Sequence, residues 1–174
     1  MSNLNDILGH GEFGKKRRVN SKRKGASFER KIANLLNKRF NTTEFNRTPG
    51  SGAFGSTHAL PQHLIVHGDL ITPQNFKYVI ECKNGYNVDL EDLFRGKSPF
   101  YSFIEQARKD AIKVNRDWMV IYKKDRKKEL VIVSSQEGLQ SPFDSLDNYL
   151  LVKGKYYVYL LQDVLALPEH YWFN

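Results

Sequence analysis

The 174-residue chain is 40% hydrophobic and 26% charged, an ordinary composition with enough length to bury one sizeable core. No apolar run approaches the roughly 18 residues that cross a membrane, Met1-Ser2-Asn3-Leu4-Asn5-Asp6 is not a secretory leader pattern, and the lone Cys82 excludes an intrachain disulfide or a cysteine-rich zinc site. The expectation is a soluble, cytoplasmic protein without a membrane partner, and its 27 Lys and Arg against 19 Asp and Glu, a net +8, favour a polyanion such as nucleic acid.

Seven of the cations crowd into residues 15–24: Lys15, Lys16, Arg17, Arg18, Lys22, Arg23 and Lys24. That stretch is too polar to build a core, so residues 1–24 read as a flexible basic arm and 25–174 as one domain. From 27 to 40, Phe28, Ile32, Leu35, Leu36 and Phe40 recur at helical spacing, with Ser27 as the expected N-cap after Gly25. Residues 48–56 are rich in turn formers and open a long loop. Two extended runs, 64–71 and 77–83, then read as a hairpin around Thr72-Pro73-Gln74-Asn75-Phe76. Ser98 and Pro99 open a second helix whose apolar positions are Phe100, Phe103, Ile104, Ala107, Ala111 and Val114. Strand pairs follow at 118–122 with 130–133, around a basic turn, and at 149–152 with 156–161. The order of helix, strands, helix, strands predicts an α/β fold, a mixed β-sheet flanked by helices.

The chemistry concentrates in the expected hairpin. Strand alternation puts Leu64, Val66, Leu70, Tyr78, Ile80 and Cys82 on one apolar face and Asp69, Glu81 and Lys83 on the other. A symmetric hairpin centred on Asn75 sets Asp69 opposite Glu81, with Cβ atoms roughly 5 Å apart, where two like charges destabilise a sheet unless a cation intervenes. Oxygen donors without histidine or thiolate point to Mg²⁺, with Mn²⁺ as a substitute, rather than zinc. Lys83 follows on the same side, about 6.6 Å along the strand, within reach of a phosphate or a nucleophilic water. Glu29 on the first helix lies nearly in line with Ala33, Leu36 and Phe40, a core-side position where a carboxylate needs a partner. The bland alternatives are a surface ion-pair cluster for the strand residues and a dipole-favoured first-turn acid for Glu29.

The set Gly25-Ala26-Ser27-Phe28-Glu29-Arg30, Arg47-Thr48-Pro49-Gly50-Ser51-Gly52, Asp69 and Glu81-Cys82-Lys83 resembles the PD-(D/E)xK nuclease superfamily and, within it, the archaeal-type Holliday junction resolvases, over roughly residues 24–133. The resemblance implies a restriction-endonuclease-like core, a homodimer, and Mg²⁺-dependent hydrolysis of four-way DNA junctions by paired nicking. It implies that Glu29, Asp69, Glu81 and the Cys82 carbonyl are metal ligands and that Lys83 positions water. Arg30, Arg47, Ser51 and Gln106 then contact substrate, with Lys22, Arg23 and Lys24 adding affinity from the arm. Gly68 departs from the motif's proline, and the loops at 53–67 and 85–98 are long for a minimal resolvase.

Other readings compete. His63 and His67 stand four apart, but Leu64-Ile65-Val66 between them reads as strand, so a zinc site with His58 is not expected. Gly50-Ser51-Gly52 lacks the Gly-Lys-Ser/Thr of a nucleotide phosphate loop. A non-catalytic DNA-binding module is the rival from another class, and a nuclease of the same fold acting on other DNA or on RNA is the rival within it.

Overall fold

The structure is a computed structural model that describes residues 21–49, 64–95, 98–135 and 140–174. Helix α1 spans Ser21–Phe40, so it starts six residues before the expected N-cap. Ser27 and Gly25 lie inside it, and Lys22, Arg23 and Lys24 are helical rather than part of a coil. Lys15, Lys16, Arg17 and Arg18 lie outside the described residues.

After the short strand β1 (Asn46–Arg47) come β2 (Leu64–His67) and β3 (Leu70–Pro73). These three form an antiparallel sheet in the order β1-β3-β2, with Val66 facing Ile71 and His67 facing Leu70. The expected hairpin is therefore corrected. The reversal falls at Gly68-Asp69, where Gly68 adopts φ +73°, a left-handed conformation that glycine takes without strain.

Strand β4 (Tyr78–Asn84) instead begins a five-stranded sheet with β5 (Asp117–Lys123), β6 (Leu130–Ser134), β7 (Leu150–Val152) and β8 (Tyr156–Leu160), in the order β4-β5-β6-β8-β7. Only β4 and β5 run parallel. Their connection carries helix α2 (Pro99–Ile112), as a parallel crossover requires. Ser98 caps α2, its hydroxyl accepting from the Phe100 amide, and Pro99 opens the first turn. A short α3 (Leu161–Ala166) follows β8.

The sheet is covered on both faces. Phe28, Ile32, Ala33 and Leu36 of α1 share one core with Tyr78, Ile80, Cys82, Met119 and Ile121. Phe100, Phe103, Ile104, Ala107 and Ala111 of α2 share the other with Val79, Val120, Tyr122 and Ile132. The period-two alternation of β4 therefore puts Glu81 on the α2 face, at the sheet's outer edge.

Candidate active site

Asp69 reaches β4 through its backbone and side chain together. Its amide donates to the Ile80 carbonyl at 2.9 Å, and its Oδ2 accepts from the Cys82 amide at 2.8 Å. The amide and carbonyl of one strand residue point to the same side, so the Cys82 carbonyl also faces the edge where Asp69 sits. Gly68 makes this approach possible. A Cβ there would stand 2.5 Å from the Ile80 carbonyl oxygen, and proline, whose ring holds φ near about −65°, cannot take the conformation at all. The departure from the motif is thus built into the turn that delivers Asp69.

Glu81 is fully buried, at 0% exposure. Lys83 Nζ donates to its Oε1 and, at 3.1 Å, to Gln106 Oε1 on α2, while standing 5.4 Å above the Phe103 ring. Glu81 Oε2 has no hydrogen-bond partner among the described residues. Burial, then repulsion from Asp69, pushes the Glu81 carboxyl up. Burial likewise raises Asp69 against the opposing pull of the Cys82 amide and Lys83. For Lys83, burial works against the charge, but the bond to Glu81 and the attraction of both acids outweigh it and its pKa rises. The cluster is one cation serving two carboxylates, with an orphaned acceptor left over.

Glu29 comes from the other side of β4. Its Oε2 accepts from Arg47 Nε at 2.5 Å, and burial, opposed by that bond and reinforced by Asp69, raises its pKa. Arg47 therefore holds Glu29, and no cluster of three or more His, Cys, Asp or Glu side chains suited to a metal ion occurs among the described residues. Asp69 and Glu81 are the close pair. Glu29 and Asp69 line a cleft of about 520 Å³ together with Ser21, Lys22, Arg47, Cys82, Lys83, Asn84 and Tyr86, whereas Glu81 is buried and is not part of that lining. The Asp69 carboxylate, the unpartnered buried Oε2 of Glu81 and the adjacent Cys82 carbonyl are hard oxygen donors that suit a divalent cation of the Mg²⁺ class.

Of the remaining sequence candidates, Gln106 meets Lys83, Arg30 and Arg23 are exposed on α1 away from the cleft lining, and Lys24 pairs with Asp125. Ser51, His58 and His63 lie outside the described residues. Sequence reasoning missed Asn84, whose buried Oδ1 also lacks a partner, and Tyr86, 46% exposed at the cleft and 4.9 Å from the Phe103 ring. Their signal was an Asn-Gly-Tyr segment directly after Lys83, where strand gives way to loop.

A family model described as "Phage putative PDDEXK endonuclease" matches residues 20–160. The chain belongs to this PDDEXK endonuclease family. The match takes in α1, the Asp69 turn, β4 and the rest of the mixed sheet, and the endonuclease has the restriction-endonuclease-like architecture that the sequence implied. It is also similar to Protein D14 of Escherichia phage T5, with 30% identity over 142 residues, covering 78% of this chain and 84% of that protein. No solved structure matches it significantly.

Proposed function

We propose that this endonuclease cuts branched DNA, four-way junctions above all, in a Mg²⁺-dependent hydrolysis, and that two copies nick two strands. The observation that carries the reading is Glu81: a buried carboxylate with an orphaned oxygen, beside Asp69, facing a single lysine. Two carboxylates, one of them fully buried, that share one lysine carry more negative charge than it can balance, a costly arrangement that suits a site where a further cation is bound.

Asp69, Glu81 and the Cys82 carbonyl would hold the ion, with Glu29 as the further carboxylate across the cleft. When bound, such an ion polarises the attacked phosphate and lowers the pKa of a bound water. The chain's own groups do the rest. Lys83, steered by Glu81, Gln106 and the Phe103 ring, is held as a cation whose ammonium orients the attacking water or the phosphate oxygen. Arg47 and Lys22 line the cleft and would fix the phosphate backbone, with Arg30, Arg23, Lys24 and Ser51 as outer contacts. Gln106 acts through Lys83 and is a positioning residue. The preference for junctions rests on the resemblance at residues 25–30 and 47–52 and on the open, basic cleft.

Side-by-side cleavage of a labelled four-way junction, a matched linear duplex and a structured RNA with Mg²⁺ tests the reading. Faster junction cutting supports it. Equal rates on junction and duplex overturn the junction preference, and DNA binding without any cutting overturns the nuclease assignment.

A further inference from the structure

Strands β4 and β5 run parallel, and Asn84 lies in register with Lys123. Both strands therefore end at the same edge of the molecule, and whatever follows β5 stands beside the cleft. The chain continues there into the turn to β6. Gly85 of the cleft donates its amide to the Lys123 carbonyl at 3.2 Å, and Lys24, which lies over Gly85, reaches Asp125 Oδ1 at 2.5 Å. The start of α1, the end of β4 and this turn are thus joined.

The charges of the turn are sorted. Each acid at its base already has a cation: Asp125 has Lys24, Asp89 has Lys124, and Glu129 has both Lys123 and Lys31. Beyond them, Arg126, Lys127 and Lys128 are exposed and form no salt bridge among the described residues. The register of β5 with β6 centres the turn on Arg126, whose φ of +62° marks the reversal. Three residues beyond the end of β5 reach at most about 10 Å, equivalent to about three base pairs along a duplex axis.

We infer that the β5–β6 turn is a second DNA anchor, in which Arg126, Lys127 and Lys128 hold the backbone of the duplex where it leaves the cleft. The inference rests on the nuclease reading for its substrate and adds a surface outside the catalytic cleft. Cations placed in this way supply affinity and salt dependence without base preference, so the anchor should act on any sequence.

The test uses the full chain carrying Lys83→Ala, so that DNA is bound without being cut, with and without the triple replacement Arg126→Gln, Lys127→Gln, Lys128→Gln. Affinity is measured for linear duplexes shortened stepwise, across a range of salt, after matched melting curves show that both chains are folded. The expected result is an affinity for long duplex at least about ten-fold lower and a log–log salt slope shallower by roughly 2 to 3, about 0.9 for each phosphate no longer neutralised. The advantage of long over short duplex should shrink with it. An identical slope and an identical length dependence overturn the anchor. The parent chain's failure to cut any DNA instead overturns the nuclease reading, so the two failures are distinguishable.

Discussion

The two ends of β4 are built on opposite principles. At its start, Tyr78 lies in an aromatic cage, 6.0 Å from Phe76 and 6.2 Å from both Phe143 and Trp172, and Phe76 stacks on Trp172 at 5.9 Å. At its end, Glu81 and Asn84 each have a buried oxygen without a hydrogen-bond partner among the described residues. Edge-to-face rings contribute about 0.5 to 1.5 kcal/mol per pair beyond their buried area, whereas a buried unpartnered acceptor costs about 1 to 3 kcal/mol. One end of the strand stabilises the fold, and the other uses that stability to hold charges in a costly arrangement.

Substitutions at the two ends should therefore act with opposite sign. Phe76→Ala removes a fully buried ring from the cage and should lower stability by about 3 to 5 kcal/mol, read as a shift in the urea midpoint at constant slope. A loss no larger than that for truncating an exposed residue would show that the aromatic end does not carry the fold. Glu81→Gln should raise stability at neutral pH by about 1 kcal/mol while abolishing cleavage. Its raised pKa means that ionised Glu81 is penalised in the folded state above its ordinary titration range, and the amide keeps the shape without the charge. A destabilised variant would mean that the Lys83 bond outweighs the penalty of burial and the repulsion from Asp69.

The smallest effect separates this strained pair from an ordinary one. Burial alone would raise Glu129, but hydrogen bonds from Lys123 and Lys31 outweigh it and bring its pKa down to about 2. A depressed carboxyl stabilises the fold above its ordinary pKa, and the contribution disappears as pH falls through the folded value. Glu129→Gln should thus cost up to about 1 kcal/mol at neutral pH, given the partial exposure of the pair. The gap from wild type should close as pH drops from about 4.5 toward about 2. Urea midpoints across acid pH check this, and a pH-independent gap would contradict the ion pair's role.

Local signals in the sequence were read correctly where local physics decided the outcome. Ser98-Pro99 caps α2, and the basic turn around Arg126 and the Lys153-Gly154-Lys155 turn close their hairpins at the places expected. The pairing of β4 with β5 depends on a crossover through α2, which no window around residue 81 contains. The apparent hairpin from 64 to 83 failed because Gly68 at positive φ reverses the chain before Asp69 rather than after it. Asp69 is nonetheless brought to β4 beside Glu81, through the Ile80 carbonyl and the Cys82 amide, so the two residues singled out in the sequence converge by a different route. Glu29 was placed on the core side correctly, but its ion pair with Arg47 joins residues 18 positions apart and had no sequence signal. The start of α1 was missed because Gly25 reads as a breaker, whereas Lys24 is secured by Asp125, 101 residues away.

Mg²⁺-dependent cleavage of labelled DNA by the wild-type chain and by a folded Lys83→Ala variant, with substrate and divalent ion saturating, probes the catalytic cluster itself. Cleavage by the wild type and its loss in the variant are expected, with DNA affinity largely retained because Lys22 and Arg47 still line the cleft and the exposed cations of α1 and the β5–β6 turn are unchanged. Undiminished cleavage by the variant would contradict the assignment of the Asp69, Glu81 and Lys83 cluster as the centre of the reaction.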